Sequence, residues 1–66
     1  MNSHMFFIHE TSDQYKFPVI GFQNYDIEGK PYIPEHEFNM FATSVLNAVA
    51  RAMPDRQFKI DWNQDE

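Results

Sequence analysis

The sequence predicts a single α+β domain in which a small antiparallel sheet of three or four strands packs on one long helix. Two observations lead to this prediction. Short β-prone segments with alternating apolar residues occupy the first part of the chain and its end. Between them, residues 34–53 repeat apolar side chains at the three- and four-residue spacing of an amphipathic helix. The predicted order of elements is β-β-β-α-β.

The first two strands are predicted on either side of a polar turn at residues 12–14. The first covers residues 5–11, with Phe6 and Ile8 on one face. The second covers residues 17–27, where Pro18 must stand at the start or on an edge because proline lacks the donor for a sheet ladder.

A tight turn at Glu28 and Gly29 is predicted to lead into a short third strand over residues 30–33. Gly29 can supply a positive φ that a side chain would resist, and prolines limit this strand at both ends. In the preceding strand, Gly21 indicates a bulge or a close approach of another part of the chain.

The helix is predicted to begin at Pro34 and to end near Met53, because Pro54 disfavours helical geometry at the residue before it. Glu35 and Glu37 favour the positive end of the helix dipole. The predicted core stripe consists of Phe38, Phe41, Ala42, Val45, Val49, Ala52 and Met53, with Leu46 and Ala48 at its edges. A last strand over residues 58–62 directs Phe58, Ile60 and Trp62 inward and Lys59 and Asp61 to water.

Length and composition restrict the possible classes of protein. The chain has 66 residues, enough for one domain, and its 42% apolar and 17% aromatic content indicates a folded protein. Residues 1–4 resemble the remnant of an expression tag, residues 5–62 form the predicted domain, and the acidic residues 63–66 are expected to fray. Without a signal peptide or a long apolar run, the expected compartment is the cytoplasm, with no membrane contact.

The charge balance argues against direct binding to nucleic acid. The formal net charge is −5, whereas proteins that bind the phosphate backbone carry a basic excess. An acidic protein can instead attract a basic protein, and suitably spaced carboxylates can imitate the charges of DNA. The candidate acidic binding residues are Asp26, Glu28, Asp61, Asp65 and Glu66. Ordinary solubility is the alternative explanation of these charges.

The outer face of the helix is a second candidate binding surface, because no charged residue occurs from Phe38 to Ala50. Interfaces are depleted in charge and enriched in Met and Arg. The candidate residues on this face are Asn39, Met40, Thr43, Ser44, Asn47 and Arg51. A merely polar, solvated face is the alternative. We expect a homodimer, formed through this face or through an exposed strand edge.

Catalytic and metal-binding chemistry has little support. There is no cysteine, and two glycines cannot make a glycine-rich phosphate loop. His9 and His36 have carboxylates beside them, but adjacent helical residues point in different directions, so structural or solvent-facing roles are the preferred interpretation. We therefore expect a non-enzymatic protein without cofactors. Small size, acidity and aromatic density are together typical of small protein-binding inhibitors, including viral ones.

Overall fold

The computed structural model describes residues 2–12 and 17–65, with side chains for residues 4–12 and 17–62. Four elements follow one another: strand β1 (Asn2–Glu10), strand β2 (Ile20–Gln23), helix α1 (Glu35–Ala52) and strand β3 (Phe58–Asp65). The three strands form an antiparallel sheet in the order β2-β1-β3, and α1 lies on one face of it. The α+β fold class predicted from the sequence is confirmed.

Alternation along the central strand divides its side chains between the two faces of the sheet. Phe6 and Ile8 are fully buried beneath the helix, where they meet Phe38 and Ala42 of α1. Side chains of the neighbouring strands complete this aromatic-rich core, with the Phe6 ring 5.2 Å from Phe38 and 5.5 Å from Trp62. The opposite face carries Met5, Phe7 and His9 of β1, which are half-buried.

The helix lies over β1 and β3, and β2 lies to one side of it. Phe41 reaches towards β2 and packs against Phe22 at a ring distance of 5.0 Å, yet it remains 40% exposed. Phe41 and Ala52, both predicted in the core stripe, are therefore corrected to exposed positions. The reason is that α1 is not centred on the sheet, so its side towards β2 lacks a covering layer.

The ends of the helix agree with the sequence. Pro34 is the residue before the first turn, and its carbonyl accepts hydrogen bonds from the N–H groups of Glu37 and Phe38, each at 3.0 Å. Met53 leaves helical geometry with φ −133° and ψ 73°, as expected for a residue that precedes proline. The predicted helix of residues 34–53 is thus confirmed to within one residue at each end.

The predicted third strand at residues 30–33 is wrong. This segment is a loop, so the observed order is β-β-α-β. The buried side chain of Asn24 takes the backbone hydrogen bonds that a neighbouring strand would have made: its Oδ1 accepts from the N–H groups of Tyr32 and Ile33, and its Nδ2 donates to the Ile33 carbonyl. With those groups occupied, residues 32–33 have no need of a strand neighbour.

The remaining strand boundaries also differ from those predicted. β1 begins at Asn2, inside the segment attributed to an expression tag, and β2 covers only Ile20–Gln23. β3 continues to Asp65 instead of ending at Trp62, and its last residues pair with the start of β1. Residues 63–65 are therefore part of the sheet. The predicted polar turn at residues 12–14 lies largely outside the described residues.

Candidate functional site: an acidic pole

Strand direction brings the loop 24–34, the start of α1 and the end of β3 to one end of the molecule. β2 runs antiparallel to β1, so its last residues lie beside the start of β1, and the N–H of Asn24 donates to the His4 carbonyl at 2.6 Å. β3 is antiparallel to β1 as well, so Asp65 pairs with Asn2 at this same end. We call this end the acidic pole, because Asp26, Glu28, Glu35 and Glu37 lie on its loop and first helical turn.

The loop of the acidic pole is internally braced by Asp26. Its Oδ1 accepts hydrogen bonds from the N–H groups of Glu28 and Lys30 at 2.8 and 2.9 Å, and its backbone pairs with Lys30 and Gly29. Gly29 has φ 85°, the left-handed conformation that favours glycine. The predicted turn at Glu28 and Gly29 is therefore present, and Asp26 is a positioning residue for it.

Apolar side chains protrude among the charges of the acidic pole. Ile27 stands at the tip of the loop and is completely exposed, at 102% of its reference area, and Tyr32 is 68% exposed. The carboxylate of Glu28, the residue after Ile27, is 70% exposed and lies 3.7 Å from the Lys30 ammonium. An exposed apolar group surrounded by charges is typical of a protein-binding surface.

The opposite end of the molecule carries basic side chains together with acidic ones. Arg51, Arg56 and Lys59 lie in the last helical turn, the following turn and the start of β3. There the Arg56 guanidinium lies 3.8 Å from the Glu10 carboxylate, in a shallow polar cleft of about 340 Å³. The cleft is lined by Glu10, Thr11, Ser12, Asp55, Arg56 and Gln57. Among the described side chains, this end therefore mixes basic and acidic groups, whereas acidic groups outnumber basic ones at the acidic pole.

The five predicted acidic residues do not form one surface. Asp26 and Glu28 belong to the acidic pole, whereas Asp61 is exposed on the helix-free face of the sheet, 3.8 Å from the His9 imidazole. The Asp65 backbone reaches the acidic pole, but its side chain and the whole of Glu66 lie outside the described residues. Glu35 and Glu37 are predicted from the sequence only as residues that favour the helix dipole. The structure shows that they also follow directly on the loop of the acidic pole. The sequence does contain an indication of this acidic group, because positions 26–37 hold four carboxyl residues and only one lysine.

The predicted helix-face residues share one location. Asn39, Met40, Thr43, Ser44, Asn47 and Arg51 are all exposed on α1, on the sides that do not contact the sheet. Met40 is the most prominent apolar group there, with 67% of its surface exposed. The Thr43 hydroxyl donates to the Asn39 carbonyl one turn earlier at 3.3 Å, so it is satisfied within the helix.

The two histidines considered as metal ligands have different neighbours. His9 lies on β1 near Asp61, and His36 is exposed in the first turn of α1. Within residues 4–12 and 17–62, no three His, Asp or Glu side chains come together as a metal site would require.

Comparisons of the chain with protein-family models, with curated proteins and with solved structures find no match. In the part of the chain that the structure describes, no helix combines the length and apolar character needed to cross a membrane.

Proposed function

We propose that this protein is a small, non-enzymatic protein-binding module that inhibits or modulates a basic protein by occupying its surface with the acidic pole. The observation that carries the proposal is that one loop and the helical turn after it hold Asp26, Glu28, Glu35 and Glu37, together with the exposed side chains of Ile27 and Tyr32. We propose the cytoplasm as the compartment, in keeping with a chain that has no cysteine for disulfides.

The two kinds of side chain at the acidic pole suit two stages of binding. Carboxylates attract a basic surface over roughly a Debye length, about 8–10 Å at ordinary ionic strength, and thereby raise the association rate. Ile27 and Tyr32 supply apolar area that loses water only on contact, which slows dissociation. The acidic pole therefore has features for both attraction and retention of a protein partner.

A nucleic-acid-binding protein is the partner class that fits this chemistry best. Its binding surface already accommodates rows of negative charge, so carboxylates held by a braced loop can occupy it by DNA charge mimicry. Asp26 contributes the bracing, since two backbone N–H groups fix its carboxylate, while Glu28 projects into solvent.

A structural or oligomerisation subunit that acts through the helix face is the second candidate function. It is favoured by the exposure of Met40 on a face whose neighbours carry no charge from Phe38 to Ala50. Such a subunit would bind its partner through apolar contact, and added salt would not weaken that binding. No observation favours the remaining alternative, a metal-dependent module built on His9 and His36, because the described His, Asp and Glu side chains form no cluster of three.

The test is a pair of charge reversals at opposite ends of the molecule. The wild-type protein first captures partners from host lysate, and affinity for a purified partner is then measured against salt concentration. Glu28→Lys changes the acidic pole, while Asp55→Lys makes the same change of charge at the other end. We expect Glu28→Lys to weaken binding about tenfold or more at low salt, and Asp55→Lys to have a much smaller effect.

Three outcomes would reject the proposal. Equal losses for Glu28→Lys and Asp55→Lys would show that only net charge matters, and binding that high salt leaves intact would favour the helix face. Loss of binding in Met40→Ala, with no change in Glu28→Lys, would show that the helix face and not the acidic pole binds the partner.

A further inference from the structure

We infer that β3 is a self-association edge: two copies of the chain pair antiparallel through residues 58–62, with Ile60 opposite Ile60 of the second copy. Residues 58–62 are not part of the acidic pole, so a test of this pairing does not depend on the proposed function.

The hydrogen-bond pattern shows which backbone groups of β3 are available. The N–H of Thr11 donates to the Gln57 carbonyl at 2.7 Å, and the register places Lys59 opposite His9 and Asp61 opposite Phe7. In an antiparallel ladder, every second residue directs its N–H and C=O to the same neighbour. Positions 57, 59 and 61 therefore face β1, and positions 58, 60 and 62 face outward from the sheet, at an edge where the described chain provides no further strand.

These outward groups fit a twofold axis at Ile60. In that arrangement Ile60 forms a hydrogen-bonded pair with its counterpart, and Phe58 forms one with Trp62 of the second copy, twice over. The pairing preserves the faces of the sheet, because residues paired in this register have the same orientation. Phe58, Ile60 and Trp62 of both copies thus lie on the helix-covered face, where they extend the aromatic core across the axis.

Charge selects this register over the adjacent one. With the axis at Ile60, each Lys59 lies opposite Asp61 of the other copy, in the non-hydrogen-bonded positions where side chains approach most closely. Moving the axis from Ile60 to Asp61 sets Asp61 against Asp61 of the other copy and leaves Lys59 opposite Asn63. The first arrangement has two reciprocal ion pairs, and the second has a like-charge contact.

The position of the helix is compatible with the same axis. Both helices fall on one face of the joined sheet, and each lies over its own β1 and β3. With strands about 4.8 Å apart, the two helix axes come to about 10 Å from each other, close to the 8–10 Å usual for packed helices.

The helix side that would meet the second copy is uncharged. Phe41 marks the side of α1 that faces β2, because it packs against Phe22. Helical periodicity places the remaining positions on the other side of the core stripe, towards β3 and the axis. These positions are Asn39, Thr43, Leu46 and Ala50. None of these four side chains is charged, so two helices can approach here without burying a charge.

The other edge of the sheet is less suitable for self-pairing. β2 has only four residues, Ile20–Gln23, and its outward positions are Gly21 and Gln23. No charged residue occurs in that strand to choose a register. Pairing with a second copy therefore has a preferred register at β3 and no preferred register at β2.

The test is a charge swap across the axis, with sedimentation equilibrium of the full chain over a wide concentration range. We expect wild type to associate to twice its chain mass of 7.9 kDa. Lys59→Asp and Asp61→Lys should each weaken the dimer about tenfold or more, because each replaces two ion pairs by two like-charge pairs. The double variant Lys59→Asp/Asp61→Lys should restore the wild-type dissociation constant. Asp55→Lys and Glu28→Lys serve as matched charge controls with unchanged dimerisation.

A second measurement checks the register without any substitution. In a sample mixed from labelled and unlabelled chains, isotope-filtered NMR should show contact between the α-protons of Lys59 and of Asp61 in the other copy, since α-protons approach in non-hydrogen-bonded pairs. A wild-type chain that stays monomeric at every concentration would overturn the inference. So would a dimer that the double swap fails to restore, or one whose intermolecular contacts lie outside β3.

Discussion

The side-chain amide of Asn24 both accepts a hydrogen bond from the backbone of Ile33 and donates one to it. Its Oδ1 accepts from the Ile33 N–H at 3.0 Å, and its Nδ2 donates to the Ile33 carbonyl at 2.9 Å. Asn24 is 3% exposed and also accepts from the Tyr32 N–H at 3.1 Å. One buried side chain therefore attaches the loop of the acidic pole to the end of β2.

Replacing Asn24 by alanine should destabilise the protein by about 2–4 kcal/mol. The substitution removes three hydrogen bonds and leaves the backbone groups of Tyr32 and Ile33 without their partner. Urea denaturation followed by the fluorescence of the single tryptophan, Trp62, measures the change. Asn47→Ala is the matched control, since Asn47 is exposed on the helix, and it should stay within about 0.5 kcal/mol of wild type.

Gly21 and Phe7 should show strong coupling in a double-mutant cycle. The two residues are cross-strand partners, and a Cβ built on Gly21 would lie 2.7 Å from Cδ1 of Phe7. Gly21→Ala should therefore cost about 1–3 kcal/mol in the wild-type background, because the ring must shift. In a Phe7→Leu background the same change should cost clearly less, and additive values from chemical denaturation would show that the ring does not occupy this space.

Two phenylalanines one turn apart on the helix should differ in their contribution to stability. Phe38 is 2% exposed between Phe6 and Trp62, so Phe38→Ala should cost about 3–5 kcal/mol. Phe41 is 40% exposed, so Phe41→Ala should cost about half as much. Denaturation curves for both variants provide the comparison. A larger loss at Phe41 would mean that the helix lies closer to β2 than the structure shows.

Gly29 should be sensitive to substitution through its backbone alone. Its φ is 85°, and apart from its chain neighbours no described residue comes within 4 Å of a Cβ built there, so Gly29→Ala should cost about 1 kcal/mol without any clash. Gly29→Asn should cost less, because asparagine tolerates the left-handed region. Thermal unfolding of the two variants tests the order, and equal stability of all three proteins would indicate that the turn adjusts freely.

Much of the core could be predicted because periodicity records which side chains face a neighbouring layer. The alternation of Phe6 and Ile8 in β1 and the helical spacing of Phe38 and Ala42 identify the buried faces of two elements that must pack together. Pro34 and Pro54 likewise mark the limits of the helix, since the geometric restrictions of proline are local.

The α+β class, the helix and its uncharged span from Phe38 to Ala50 could be read from residue order alone, because they depend on residue spacing within one element. The loop at residues 30–33 could not, since it depends on Asn24 reaching a backbone nine residues away. Tertiary structure also set α1 over β1 and β3, with β2 to one side of it. Strand direction and layer position are properties of the whole sheet, and no local pattern contains them.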